Sequence, residues 1–419
     1  MFAGEPPFGY RTDMITVGAG VDLLVAASVL AGVPLVLRAG RKPGPRAGRK
    51  PGPRAGRKPG PRPGGGRGPG FWLALTVAAI YLNQALFTVY VLRVHRGDPA
   101  FIARHLPPGW FDLAGGAAVR AVADAFPAPE VLEFSVLRVQ AFLELPFVIL
   151  AYLCVCRWLD PVRARALTAP AVLWAACVAY SVVFGLVEWG LRNPYTTDDL
   201  VLRAASCVVT AALLTRRPPR LTGRAPASGV EVLLAVGSAA ALGVLVLVVY
   251  DTALLYNLGH LPRLLPVAAA AGGVLALARG LTRRAGTPRE PGPGIRTVSA
   301  GLAWFAALFF VPALPIRYAM DLGTPWLTIA GASVVAGAAL VVTVRDVVDR
   351  AGAGRWLARM SVAVLAGLVA ASAALLPPPT YPEVRILLAA ALFLTALTAV
   401  CAATDRAVVR GRPRTTALD

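Results

Sequence analysis

Long apolar runs alternate with short polar ones along the whole chain. Each run reaches or approaches the ~20 residues that a helix needs to cross a bilayer. Eleven runs predict eleven transmembrane helices, at 14–37, 71–92, 131–156, 169–191, 199–214, 229–250, 261–278, 297–314, 326–344, 356–376 and 383–404. The predicted fold class is an all-α, polytopic helical membrane protein.

The polar segments between the runs fix its expected orientation. Segments 38–70, 157–168, 215–228, 279–296, 345–359 and 405–419 hold 31 of the 42 Lys and Arg residues. The intervening segments are poor in Arg and carry acids, as in RNPYTTDD, PIRYAMDLGTP and PPPTYPE. By the positive-inside rule the basic set is cytoplasmic, which places the N-terminus outside and the C-terminus in the cytoplasm of a cell membrane. Heavy use of Arg, Ala, Gly, Pro and Val points to a GC-rich, bacterial genome. Glu5, Arg11 and Asp13 precede the first run and the polybasic segment follows it, so that run is read as an uncleaved span behind an exported tail, 1–13.

Composition supports this reading. The chain is 57% hydrophobic and 15% charged, against roughly 25% charged in soluble proteins. Its formal charge of +20 is concentrated in the 38–70 loop, which repeats AGRKPGPR three times between Ala39 and Arg62. Gly and Pro keep that loop from forming helix or sheet. It is expected to be a disordered linker whose partners are anionic lipid headgroups, each basic residue contributing about 1 kcal/mol at best. Nucleic acid is disfavoured, because no aromatic side chain interrupts the repeat to stack on bases.

The motifs of several enzyme classes are absent. There is no GxxxxGK[ST], no HExxH and no GxSxG. The five cysteines, Cys154, Cys156, Cys177, Cys207 and Cys401, all lie in apolar runs and form no CxxC pair. His95, His105 and His260, with Asp98, Asp112, Asp251 and Asp321, have no ligand spacing. No metal and no cofactor is expected, and the balance leans against an enzyme.

Ionisable and amide side chains inside a bilayer are costly and mark functional sites by default. They concentrate in the helices of 71–215 and in the first span, whereas 216–404 reads as an apolar six-helix half. Counted by rise from the exported ends, Asp22, Asn83, Gln84, Arg138 and Gln140 all lie roughly 10–14 Å deep, as one polar layer. On the third span Glu133, Gln140 and Glu144 share a face. Glu133 and Glu144 are ~16 Å apart by rise, too far for a two-carboxylate dyad. Pro146 frees a backbone carbonyl beside Glu144. A carboxylate there is either a proton or cation site or polar glue satisfied by Asn83, Gln84 or Arg138. Glu188 and Arg203, on helices joined by a short loop, form a candidate structural ion pair. The exported segment 93–130 predicts interfacial helices, with Asp98 as a cap before Pro99, Val119, Val122 and Phe126 on one face, and Arg120 paired with Asp124.

These residues frame three functions. The first is a secondary transporter or permease for a small or amphipathic substrate, using the outer-half polar site. The second is a membrane-embedded transferase acting on a lipid-linked substrate at the outer face, with Asp98, Asp112 or Glu133 as general base. In span number and long exported segment the chain resembles multi-spanning glycosyltransferases that use lipid-linked sugars. The third is a non-catalytic subunit of an envelope complex. The expected topology has a direct test. Reporters fused after Asp419 should be cytoplasmic, and reporters before Met1 or within 100–128 exported. A cytoplasmic 100–128 segment would overturn the eleven-span order.

Overall fold

The computed structural model describes residues 9–40, 67–98, 116–126, 133–190, 196–255, 257–284, 291–322, 325–348, 352–376 and 382–410. The tandem repeat and most of the 93–130 segment lie outside these residues. The chain is an all-α, polytopic membrane protein. Its α-helices are α1 (Gly9–Gly40), α2 (Pro69–Val94), α3 (Ala117–Ala125), α4 (Glu133–Leu159), α5 (Pro161–Ala164), α6 (Pro170–Gly190), α7 (Thr196–Arg216), α8 (Gly229–Val249), α9 (Leu261–Arg284), α10 (Pro293–Phe309), α11 (Ala313–Asp321), α12 (Pro325–Val347), α13 (Ala353–Ser372) and α14 (Pro382–Arg410). No strand occurs among the described residues.

Each of the eleven apolar runs falls on one of these helices or on the pair α10–α11. Among the described residues, nine helices are long and apolar enough to cross a membrane, and α10 with α11 passes the same test only as a bent pair, a broken span or a re-entrant one. The remaining run is α7. It is 21 residues long, about 31 Å by rise, but Asp198, Asp199 and Arg203 keep it outside the apolar set.

The sequence predicts a straight eighth span. The structure instead bends by 78° between α10 and α11. Pro312 and Pro315 have no N–H to donate back along the helix, so the ladder stops at Phe309. The Phe310 N–H turns to Ala307 O, at 3.4 Å. Two carbonyls are freed, and two tyrosines of other helices fill the vacancies. Tyr152 Oη donates to Ala306 O at 2.6 Å and Tyr180 Oη to Phe310 O at 2.8 Å.

Around this break lies the main core. Val17, Val21, Val25 and Val29 recur every four residues on α1, forming a ridge that packs with buried residues of α6 and α10–α12. Gly32 lets that ridge close, since a Cβ there would sit 2.6 Å from Val311 Cβ. Helices α2, α4 and α8 form a second core around Ile80, Phe147, Leu150 and Leu242. Sequence neighbours α1 and α2 therefore pack on different sides of the bundle.

The described residues of the six basic segments meet at one end of the bundle. Arg220 N–H donates to Arg67 O, Arg157 Nε to Thr222 O, and Arg163 pairs with Asp346. The Asp405 carboxylate accepts from Gly294 N–H and Ile295 N–H. Trp158, beside Arg157, stacks against Arg279. At the opposite end Arg138 pairs with Asp198 and Asp251 with His260.

One detail of α3 differs from the amphipathic face expected of it. It packs on α2 through Ala123, 1% exposed, with Val119 half-buried, while Val122 points outward at 59% exposed. The inward stripe runs 119, 123, 126, because four residues return closer to the start of a helical turn than three do when the neighbour lies on that side.

The tyrosine bonds at the break predict a stability effect. Tyr180→Phe keeps the ring but strands a buried carbonyl, and should cost about 1–3 kcal/mol. Unfolding of the purified protein in micelles measures this. An unchanged midpoint would mean that the Phe310 carbonyl does not depend on Tyr180.

Candidate functional site

The polar face of α4 meets α6 and α7 in the half of the bundle away from the basic end. Pro146 positions this meeting. It cannot donate to Phe142 O, and Ser206 Oγ on α7 donates there instead, at 2.6 Å. One helical turn before Ser206 stands Arg203, which the same contact brings opposite Glu144. Arg203 Nη1 donates to Glu144 Oε2 at 2.7 Å, and its Nη2 pairs with Glu188 Oε1 on α6. The three side chains are 7%, 12% and 13% exposed.

Glu144 is thus held by Arg203, and not by Asn83, Gln84 or Arg138. Arg138 instead leaves for Asp198 at the exposed start of α7. A run beginning at 199 puts Arg203 only four residues, about 6 Å, from the exported end. The helix starts at Thr196, and seven residues of rise carry Arg203 about 10 Å inward, within side-chain reach of Glu144.

The triad holds two carboxylates and one guanidinium. Glu188 Oε2 is buried and accepts no hydrogen bond, and Arg203 Nε is buried and donates none. The guanidinium lies 4.7 Å over the Phe184 ring, which meets Tyr318 edge-on at 5.8 Å. Tyr318 Oη is 3.4 Å from Tyr250 Oη, and Arg317 lies 5.2 Å from both tyrosine rings. An aromatic wall from α6, α11 and the turn that follows α8 therefore closes the triad on one side.

A neutral polar group adjoins it. Asn83 Nδ2 donates to Gln140 Oε1 at 3.3 Å, and Gln140 Nε2 donates to Ala253 O at 2.5 Å. Ala253 belongs to a π-helical turn, Tyr250–Leu254, that ends α8. Such turns leave end carbonyls without helical partners and recur at functional sites. In the same turn Thr252 Oγ1 bonds Tyr81 Oη at 2.6 Å, and Asp251, 8% exposed, lies 3.0 Å from His260 Nδ1. Comparison with protein families, with curated proteins and with solved structures finds no match.

The structure redistributes the expected polar layer. Asn83 and Gln140 come together. Gln84, fully buried, turns away from them, and neither its Oε1 nor its Nε2 has a hydrogen bond. Asp22 is half-buried on α1, which packs with α6 and α10–α12 rather than with α2. Glu133 begins α4, and its side chain lies outside the described residues. Equal depth does not imply proximity, because rise along a helix says nothing of which helix stands beside it.

Five residues joined to this region were missed in the sequence. Tyr250, Asp251 and Thr252 were read as the end of a span and the start of a loop, whereas the π turn keeps them helical and buries Asp251 and Thr252. Arg317 and Tyr318 were read as an exported loop, and the break at Pro312 folds them back as α11. The run of prolines at 312 and 315 was the available signal.

Among the described residues, no three His, Cys, Asp or Glu side chains come together to hold a metal ion. The triad's charge balance is testable by stability. Arg203→Gln leaves two buried carboxylates facing each other and should destabilise by about 3–5 kcal/mol. Adding Glu144→Gln and Glu188→Gln should recover most of that loss, measured as the unfolding midpoint in micelles. A triple variant as unstable as the single one would mean that Arg203 acts through packing on Phe184, not through charge.

Proposed function

We infer that this multi-pass membrane protein is a secondary transporter or permease, with the Glu144–Arg203–Glu188 triad as its coupling site. The observation that carries this reading is the excess carboxylate. A buried charge is tolerated only when paired, and Arg203 offers one charge to two acids. The second carboxylate calls for a proton or a small cation, and the orphaned Glu188 Oε2 is the atom to receive it. A site that is neutral when loaded and charged when empty can couple ion movement to a change of shape.

Two further features support the reading. The bent pair α10–α11, broken at 310–312, is the kind of discontinuous helix found beside transporter substrate sites. The chain also has no P-loop, so movement of a substrate would draw on an ion gradient. The orientation proposed from the charge pattern puts the basic end in the cytoplasm and the triad in the outer half, and the Arg-rich composition fits a bacterial cell membrane.

One observation favours the second reading, a transferase acting on a lipid-linked substrate. An apolar groove of ≈ 400 Å³ runs between α4, α8, α10 and α14, past Tyr152, Gly243, Phe305 and Leu387. A lipid tail fits its chemistry. It holds no acid or base, and the polar site lies on other faces of α4 and α8.

The test uses proteoliposomes on a solid-supported membrane. Panels of amino acids, sugars and organic ions are applied under a pH gradient. Wild-type protein should give transient currents with at least one class, and Glu188→Gln should reduce them tenfold or more while remaining folded. Currents undiminished in Glu188→Gln would remove the coupling role of the triad. Silence of the wild type on the whole panel, with turnover of a polyprenyl-phosphate sugar, would favour the transferase.

A further inference from the structure

A second cavity lies at the basic end, away from the triad. Helices α2, α4, α8 and α9 and the 220–226 loop enclose ≈ 760 Å³, within the ~300–1,000 Å³ usual for small-molecule sites. Arg157, Arg220, Arg224, Arg279 and Arg283 line it, against one carboxylate, Glu231. Glu231 is already engaged. It pairs with Arg224 and accepts from Ala227 N–H at 2.6 Å. Among the described residues, Arg157, Arg279 and Arg283 therefore add positive charge to the wall beyond the Arg224–Glu231 pair.

Arginine at this end is expected from topology alone. A topological signal needs no cavity and no fixed side chains, and here both are present. Arg157 is oriented by its Nε bond to Thr222 O, at 2.9 Å. Arg279 is stacked 5.6 Å from the Trp158 ring. The backbone is shaped to suit. Gly68 passes so close that a Cβ would lie 3.0 Å from Arg157 Nη1. Gly223 takes φ 145°, a conformation open to glycine, where the loop turns over the cavity. The N-terminus of α2 opens into the same space. Its cap residue, Gly68, offers no side chain; Pro69 has no N–H, and the Phe71 N–H returns to Gly68 O at 3.1 Å, so the helix contributes mainly the positive end of its dipole there. Below the arginines the floor is apolar, with Trp158, Leu234 and Ala235.

We propose that this cavity binds a phosphate group. Planar guanidinium forks match phosphate oxygens in pairs, and an open helix N-terminus adds to the same field. The phosphate comes either from the headgroup of an anionic phospholipid, with its tails against the apolar floor and the outside of α9, or from a soluble phosphate compound. The site is independent of the coupling role of the triad.

The experiment measures the unfolding midpoint of the full chain in micelles with added phosphatidylglycerol or inorganic pyrophosphate, against phosphatidylcholine and sulfate-free buffer. At least one phosphate compound should raise the midpoint. Stabilisation by phosphatidylglycerol alone assigns the lipid source, and stabilisation by pyrophosphate as well assigns the soluble one. In Arg157→Gln/Arg279→Gln the midpoint response should need about tenfold more ligand. The control Arg216→Gln/Arg217→Gln removes equal charge outside the cavity and should respond as wild type. Equal loss in both double variants, or no response in wild type, would overturn the proposal and leave only general attraction of basic loops. Because the cavity variant could fold poorly, arginine modification by phenylglyoxal on the wild-type chain gives a second readout. Ligand should protect Arg157 and Arg279 but not Arg216, and uniform modification would likewise overturn the site.

Discussion

A backbone carbonyl that loses its helical partner inside a membrane has no water to turn to. This constraint organises the protein. At Pro146 the freed Phe142 carbonyl is taken by Ser206 of α7. At the break before Pro312, Ala306 O and Phe310 O are taken by Tyr152 of α4 and Tyr180 of α6. At the end of α8, Ala253 O is taken by Gln140 of α4. Each irregularity in one helix is closed by a side chain of another, so the places where helices deviate are the places where they are locked together. Helix α4 takes part in three of these four bonds, as donor or as acceptor, and it carries Glu144.

The same economy explains why the charges sit where they do. Arg203 could not stand alone at its depth in α7, and Glu144 and Glu188 could not stand alone in theirs. The Ser206 bond draws α7 onto α4 at the turn beside Arg203, and Ser181 Oγ of α6 donates to Arg203 O at 3.3 Å. Three helices are thereby brought within salt-bridge reach. The outcome leaves Glu188 Oε2 without a hydrogen bond, and the proposed coupling role rests on that atom rather than on any motif. The basic end shows the converse balance. There the described guanidinium groups around the cavity outnumber the carboxylates, and the proposed phosphate site rests on that excess.

Much of the architecture was legible along the chain. Apolar length located the helices to within a few residues, nine of them long and apolar enough to span, because the cost of burying a polar side chain in lipid acts on each helix separately. The alternation of Arg-rich and Arg-poor segments grouped the loops, and the described residues of the six basic ones lie at one end. Individual partners were much less legible. Glu188 and Arg203 were paired from a short loop between adjacent helices, which limits where the second helix can go. Glu144 was offered Asn83, Gln84 or Arg138 as a partner and takes Arg203 instead, because its neighbour α7 is two apolar runs further along the chain. Asp22 was grouped with Asn83 on depth alone, yet the long 38–70 segment lets α1 and α2 settle on different sides of the bundle.

What the sequence indicated by itself is whatever depends on one coordinate: where the apolar helices lie along the chain, their order, and the end of the bundle to which the basic segments belong. These follow from the energetics of single residues in a layered solvent, which act without reference to other helices. What only the tertiary structure decided is lateral. It put Arg203 between Glu144 and Glu188, folded Arg317 and Tyr318 back onto Tyr250, and turned the end of α8 into a π turn that Gln140 could reach. Lipid tails are as apolar as the helices they surround, so hydrophobicity cannot choose helix neighbours. Close packing at small residues and the pairing of stranded polar groups make that choice, and both exist only once the helices have met.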